Sequence, residues 1–158
     1  MALYIDSQAL HGTTGHEAGR QLLAQLYRRV TGEEMPPIAI ADRGKPYFPG
    51  SAWHFSISHT KGHVFCALAD TPVGIDAEEN TRQIDLRLAE KILSPGERTR
   101  YDAAEDKRKA LLTFWVLKEA AAKLSGQGLR GYPNKTDFSL SDPRVFEDHG
   151  CIVAVLTK

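Results

Sequence analysis

This sequence predicts a mixed fold of the α+β class, on two observations. Apolar residues recur at helical spacing in two separate places: Leu22, Leu23, Leu26 and Val30, then Leu111, Phe114, Leu117, Ala121 and Leu124. Elsewhere they alternate in short runs bounded by turn formers, which reads as strands grouped in series. Each half of the chain is therefore helix followed by strands, and such segregation points to α+β. At 158 residues the chain is expected to be one compact unit with a core of its own.

The first helix is expected over residues 15–30. Met35-Pro36-Pro37 ends that region, because proline pushes the residue before it out of helix. Residues 38–41 make a short strand candidate, followed by a loop of turn formers over 42–50. Residues 53–58 and 64–69 read as strands. Asp70-Thr71-Pro72 turns the chain into another strand starting at Val73, expected to be one arm of a hairpin. A helix is expected around residues 84–93. Ser94-Pro95-Gly96-Glu97 then carries a helix start, with serine at the cap, proline in the first turn and glutamate three residues after the serine. The stretch 126–131 ends the long helix near Leu124, and strands near 136–140 and 151–156 close the chain. The letters alone show no repeat strong enough to assert a duplication.

Composition bounds the function. Hydrophobic residues are 42% and charged residues 25%, ordinary globular usage. With 20 basic and 20 acidic residues the formal charge is zero, which supports no nucleic-acid or anionic-membrane partner. Residues 1–10 show no cationic segment followed by an apolar one, and no 18-residue apolar run occurs. A cytoplasmic location is expected. Cys66 inside one expected strand and Cys151 at the start of another read as buried thiols, with a disulfide as the alternative. His11, His16, His54, His63 and His149 have no spacing that suggests a metal cluster. Trp53, Phe55 and Phe65 are expected in the core.

The chemistry concentrates in two segments. In Val73-Gly74-Ile75-Asp76-Ala77-Glu78, the apolar residues occupy one strand face. Asp76 and Glu78 then share the other, roughly 6.6 Å apart at ~3.3 Å per residue, with Gly74 leaving room beside them. In Phe114-Trp115-Val116-Leu117-Lys118-Glu119-Ala120-Ala121-Ala122-Lys123, Glu119 and Lys123 are four apart and lie on one side of a helix. Either piece alone would pass for a solvated face. Lys118 speaks against that: it falls close to the apolar stripe, between Leu111 and Phe114, and must snorkel or meet an anion. An Asp-x-Glu strand at a turn is also where hard cations find oxygen ligands. Three carboxylates and two lysines suit a divalent cation and a polyphosphate.

These segments resemble the two signature motifs of the 4'-phosphopantetheinyl transferase superfamily, (V/I)-G-(I/V)-D-x-E and (F/W)-x-x-K-E-(S/A)-x-x-K. Upstream, Gly44-Lys45-Pro46-Tyr47 and Phe55-Ser56-Ile57-Ser58-His59-Thr60 resemble segments of the larger, surfactin-synthetase-activating type. Gly19-Arg20-Gln21-Leu22-Leu23 is similar to that type's first long helix. The resemblance covers about residues 15 to 141 in four ordered motifs. It implies a pseudo-two-fold α+β fold of two similar helix-plus-antiparallel-sheet halves with the active site between them. Residues 1–73 would serve the adenosine end of coenzyme A, and 74–158 would carry the metal and catalytic motifs.

The activity implied is transfer of the phosphopantetheine arm of coenzyme A to a serine of an apo acyl or peptidyl carrier protein, by a monomer, with adenosine 3',5'-bisphosphate released. Asp76, Glu78 and Glu119 would hold Mg2+. Glu119 would also be the general base, directly or through water, with Lys123 as its catalytic partner. Lys118 and Lys123 would contact phosphate oxygens. Lys45, Ser58 and His59 would serve the adenosine end, with Arg43 as an accessory phosphate contact. Arg98 and Arg100 beside Leu93 and Tyr101 would meet an acidic carrier, or simply face water. Larger members place a basic helical segment ahead of the Gly19-Arg20 helix, whereas here no lysine or arginine precedes Arg20. Recognition of the 3'-phosphate is therefore expected to fall on His59, Lys45 and Arg43. Two other readings are a catalytically weak paralogue that binds coenzyme A or carrier, and an unrelated Mg-dependent phosphohydrolase. The intact Asp76, Glu78, Lys118, Glu119 and Lys123 oppose the first, and Ser58-His59 opposes the second.

Overall fold

A computed structural model describes residues 1–128 and 135–158. The chain opens on a strand, β1 (Leu3–Ala9), which the alternation rule misses because inward and outward residues are mixed along an edge. Helix α1 (Gly15–Thr31) follows, capped by Thr14, whose hydroxyl accepts from the Glu17 amide at 3.1 Å. A two-residue ribbon, β2 (Ala39–Ile40) and β3 (Pro46–Tyr47), leads to the hairpin β4 (His54–His59) and β5 (His63–Ala69). Next come β6 (Val73–Glu79), a 3-10 turn (Leu86–Leu88), short helix α2 (Ala89–Ile92), α3 (Pro95–Ala103) and α4 (Lys107–Ser125). The hairpin β7 (Val145–Asp148) and β8 (Cys151–Thr157) ends the chain.

Two three-stranded antiparallel sheets result, ordered β1-β5-β4 and β6-β8-β7. Each half runs strand, helix, hairpin, and in each the last strand takes the central place. That common topology gives the pseudo-two-fold its form. The layers are helix, sheet, sheet, helix. On one side α1 packs Leu22, Leu23 and Leu26 against Phe55, Val64, Cys66 and Leu68. On the other, α4 packs Leu111, Phe114 and Leu117 against Ile152, Ala154 and Leu156. Between the sheets lie Phe65, Ala67 and Ala69 with Val73, Ile75, Ala77, Val153 and Val155. Phe55 and Phe65 are core residues, and Trp53 packs against the α1 side. Cys66 and Cys151 are free, buried thiols.

Three expectations are corrected. β6 is not the second arm of a hairpin with β5; after Asp70 the chain leaves the first sheet and β6 pairs with β8. The edge amides of Ile75 and Ala77 are instead taken by side chains, the hydroxyls of Ser56 at 3.0 Å and Ser58 at 3.1 Å. The helix expected at 84–93 is broken into the 3-10 turn and α2, because Leu93 is extended and Ser94 starts α3 as a complete capping box with Glu97. No strand forms over 136–140. The strand is β7, joined to β8 by a two-residue turn with His149 (φ 50°) and Gly150 (φ 73°) both left-handed. As expected, α4 ends at the glycine after Ser125, with Gly126 in the left-handed conformation, and residues 129–131 of the expected terminating stretch lie outside the described residues.

A candidate active-site cleft

The cleft exists because β6 and α4 approach each other to backbone contact. A Cβ on Gly74 would lie 2.1 Å from the Ala120 carbonyl oxygen and 2.5 Å from the Leu124 nitrogen. Gly74 therefore makes room for the helix and not, as expected, for space beside the acids. The close approach sets Trp115, Glu119 and Lys123, spaced four apart on one side of α4, over Asp76 and Glu78 of β6.

Asp76 is only 7% exposed. Its Oδ1 accepts from Lys123 Nζ at 3.1 Å and from the Ser58 hydroxyl at 3.3 Å. Lys123 also donates to the Ile57 carbonyl at 3.2 Å, so it bridges the two sheets. Burial pushes the Asp76 carboxyl up to about 7, against the pull of Lys123 and with the repulsion of Glu119 and Glu78. Glu119 is raised as well, chiefly by burial, with Lys123 opposing and Glu78 adding to it. Glu78 turns its Oε1 to Arg82 at 2.7 Å and to the Trp115 indole nitrogen at 3.3 Å. The Arg82 guanidinium lies over the Trp115 ring, 5.6 Å from its centre. His59 stands exposed at the rim, and its ring is so close to α1 that a Cβ on Gly15 would come within 2.3 Å of it.

Ser58, His59, Asp76, Glu78, Glu119 and Lys123 thus line one cleft of about 440 Å³. A second recess of about 300 Å³ adjoins it, sharing Ile57, Glu119 and Lys123, and reaches Arg43 and Lys45. Lys45 donates to the Leu124 carbonyl at 3.1 Å and the Val73 carbonyl at 3.3 Å. Burial lowers its pKa, with Lys158 adding to the effect.

Lys118, expected at the phosphates, lines neither recess. It lies one residue before Glu119, about 100° around the helix, and that turn points it inward. There its ammonium, 1% exposed, meets Glu97 Oε1 at 2.6 Å and also bonds Thr136. The need for an anionic partner was legible in the apolar stripe; the partner was not. Glu97 was read only as half of a capping box, and the same carboxylate serves both. Arg82 was missed altogether. Trp115 was findable, since it stands four residues before Glu119 on the same side of α4.

The donor set fits a hard divalent cation. Asp76 Oδ2 is buried and has no hydrogen-bond partner among the described residues, while two further carboxylates face the same cleft. An orphaned carboxylate oxygen among like charges is relieved by an oxygen-seeking ion such as Mg2+. The three acids do not converge as one compact donor group: Oδ1 of Asp76 and Oε1 of Glu78 are turned to their basic neighbours.

Residues 72–150 match the family model of the 4'-phosphopantetheinyl transferase superfamily. The chain is 39% identical over 123 residues to the 4'-phosphopantetheinyl transferase psf-1 of Bacillus pumilus, an overlap covering 72% of this chain and 52% of that protein. A 4'-phosphopantetheinyl transferase of Bacillus subtilis is 31% identical over 123 residues, 72% of this chain and 54% of the relative. HetI, a 4'-phosphopantetheinyl transferase of a Nostoc species, is 32% identical over 122 residues, covering 71% and 52%. The chain spans about half the length of these curated relatives. No helix among the described residues is long and apolar enough to cross a membrane.

Proposed function

The chain belongs to the 4'-phosphopantetheinyl transferase superfamily, and from that premise we propose that it moves the 4'-phosphopantetheine arm of coenzyme A onto a serine of an apo acyl or peptidyl carrier protein. Adenosine 3',5'-bisphosphate is the by-product, and the reaction depends on Mg2+. The observation that carries this reading is Lys123, held between Asp76 and the Ile57 carbonyl where the acidic cleft meets the second recess.

The carrier serine oxygen bonds to the β-phosphorus of coenzyme A as the bond to the adenosine-side phosphate breaks. Glu119 takes the serine proton, directly or through a water. Lys123 sets a compact positive charge against the pyrophosphate oxygens. Asp76, Glu78 and Glu119 would hold Mg2+, which supplies neutralisation of the charge on the phosphates. Arg82 and Trp115 fix the Glu78 carboxylate. The recess reaching Lys45 and Arg43 suits the adenosine end, which Ser58 and His59, lining the adjoining cleft, would also serve. On this division, residues 1–73 serve the adenosine end and 74–158 the chemistry. A cytoplasmic monomer is proposed, supported by both walls of the cleft coming from one chain.

The test is to incubate the protein with Mg2+, coenzyme A and a panel of apo carrier proteins, then to weigh each carrier intact. One carrier should gain a single phosphopantetheine, and omission of Mg2+ should stop the gain. No gain on any carrier, from protein that binds coenzyme A, would favour the catalytically weak paralogue instead.

A further inference from the structure

A second group of ligating side chains lies apart from the acidic cleft. His63 opens β5, Glu79 closes β6 and Cys151 opens β8, so the ends of three strands from both sheets meet at one corner. One ligand atom from each of these three side chains lies within 4.8 Å of the others. The histidine spacing in sequence suggested no such cluster, because its members come from three distant strands.

These donors are poorly satisfied by the protein. His63 Nδ1 is buried and has no hydrogen-bond partner among the described residues, an arrangement that proteins rarely leave uncompensated. Among the described residues, Cys151 Sγ has only long contacts, to Glu79 Oε2 and the His149 carbonyl at 3.8 Å and to Thr60 Oγ1 at 4.0 Å. Glu79 accepts from the Gly62 amide at 3.3 Å and has no ion pair among the described residues. The His149 ring lies 5.3 Å from that of His63, held there by its left-handed backbone in the β7–β8 turn.

We propose that His63, Glu79 and Cys151 form a zinc site that pins the β4–β5 hairpin to β6 and β8. Thiolate, imidazole and carboxylate together suit a borderline cation, whereas Mg2+ and Ca2+ take oxygen ligands. Ligands ~2.0–2.3 Å from a tetrahedral ion stand about 3.3–3.8 Å apart, so closure requires side-chain movement of only about 1 Å. The Cys151 thiol gives up its proton as the metal binds. The fourth position is left to water, with His149 at its rim. The hairpin so pinned is the one that carries Ser58 and His59, and the zinc holds the two halves together at that end of the cleft.

Chelator-treated protein titrated with Co2+ tests this directly. It should take up one Co2+ per chain with a thiolate-to-cobalt charge-transfer band, which stoichiometric Zn2+ then removes while raising the thermal midpoint. Cys151→Ser should abolish the band, and Cys66→Ser should leave it. His63→Gln and Glu79→Gln should each weaken Zn2+ by more than about 100-fold, since removing even a group that only hydrogen-bonds a metal ligand costs about 10- to 100-fold. His63→Gln alters a half-buried side chain and keeps the test open if the cysteine variant fails to fold. Absence of the charge-transfer band at saturating Co2+ would overturn the site. So would zinc affinity that survives His63→Gln but is lost in Asp76→Ala, because the ion would then sit in the acidic cleft.

Discussion

Asp76 combines deep burial, one oxygen bonded to Lys123 and one oxygen with no partner among the described residues. On the proposed mechanism this carboxylate serves the chemistry and not stability. Replacing Asp76 with alanine should abolish transfer while leaving the circular dichroism spectrum unchanged. Glu119→Gln, which removes the base but keeps the shape, should lower kcat by about 100- to 10,000-fold. Full activity of either variant with Mg2+ would refute the roles proposed for them. Arg82→Ala should weaken the apparent Mg2+ affinity by about 10- to 100-fold, read from the rate against Mg2+ concentration, because Glu78 loses its fixed orientation. Asp76, Glu78, Glu119 and Lys123 were legible as a set from strand and helix periodicity. Arg82 was not, since it lies in a loop beyond the strand, where periodicity says nothing about direction.

At the scale of elements, two contacts position the cleft. Gly74→Ala drives a methyl into the α4 backbone, which cannot swing aside as a side chain can. Overpacking of this kind should cost about 1–3 kcal/mol or more by urea denaturation, and activity should fall with it because α4 carries Glu119 and Lys123. The α3–α4 contact is tied by Glu97 and Lys118. Burial alone would raise the Glu97 carboxyl, but bonds from Lys118, the Phe138 and Ser94 amides and Thr136 outweigh it and hold the group below its ordinary 4.5. Burial lowers Lys118, against the pull of Glu97, and four donors on one carboxylate keep Glu97 charged. A depressed carboxylate adds stability that is present above 4.5 and lost as pH falls through the folded value. The parent should therefore lose stability below about pH 4.5 in a way that Glu97→Gln does not, and the variant should be about 3–5 kcal/mol weaker at neutral pH. Equal acid sensitivity of the two proteins would show that Glu97 is not the group titrating.

Across the whole molecule, the two halves share one core between the sheets, and Ser56 and Ser58 fasten the β6 edge to the first sheet. Neither half can bury its inner face alone, so the chain should unfold in one transition. Trp53 reports on the first half and Trp115 on the second. In Trp53→Phe and in Trp115→Phe, the remaining indole and the far-ultraviolet circular dichroism should give the same urea midpoint. Two separate midpoints would mean two independent units. Phe65→Ala, at the centre of the shared core and fully buried, should lower stability by about 3–5 kcal/mol and keep the single transition.

Residue types and their short-range spacing determined the helices α1 and α4, the capped start of α3, the hairpin strands β4 and β5, and the acid and lysine faces of the cleft. Those features depend on contacts within a few residues, where backbone geometry fixes which side chains share a face. Tertiary structure alone decided that β6 leaves the first sheet, that β1 supplies the missing third strand, and that Lys118 turns from the phosphates to Glu97. It also decided that His63, Glu79 and Cys151 meet. Each of these depends on pairing between distant segments, and that is chosen by which edge and which buried charge find partners when the two sheets close together.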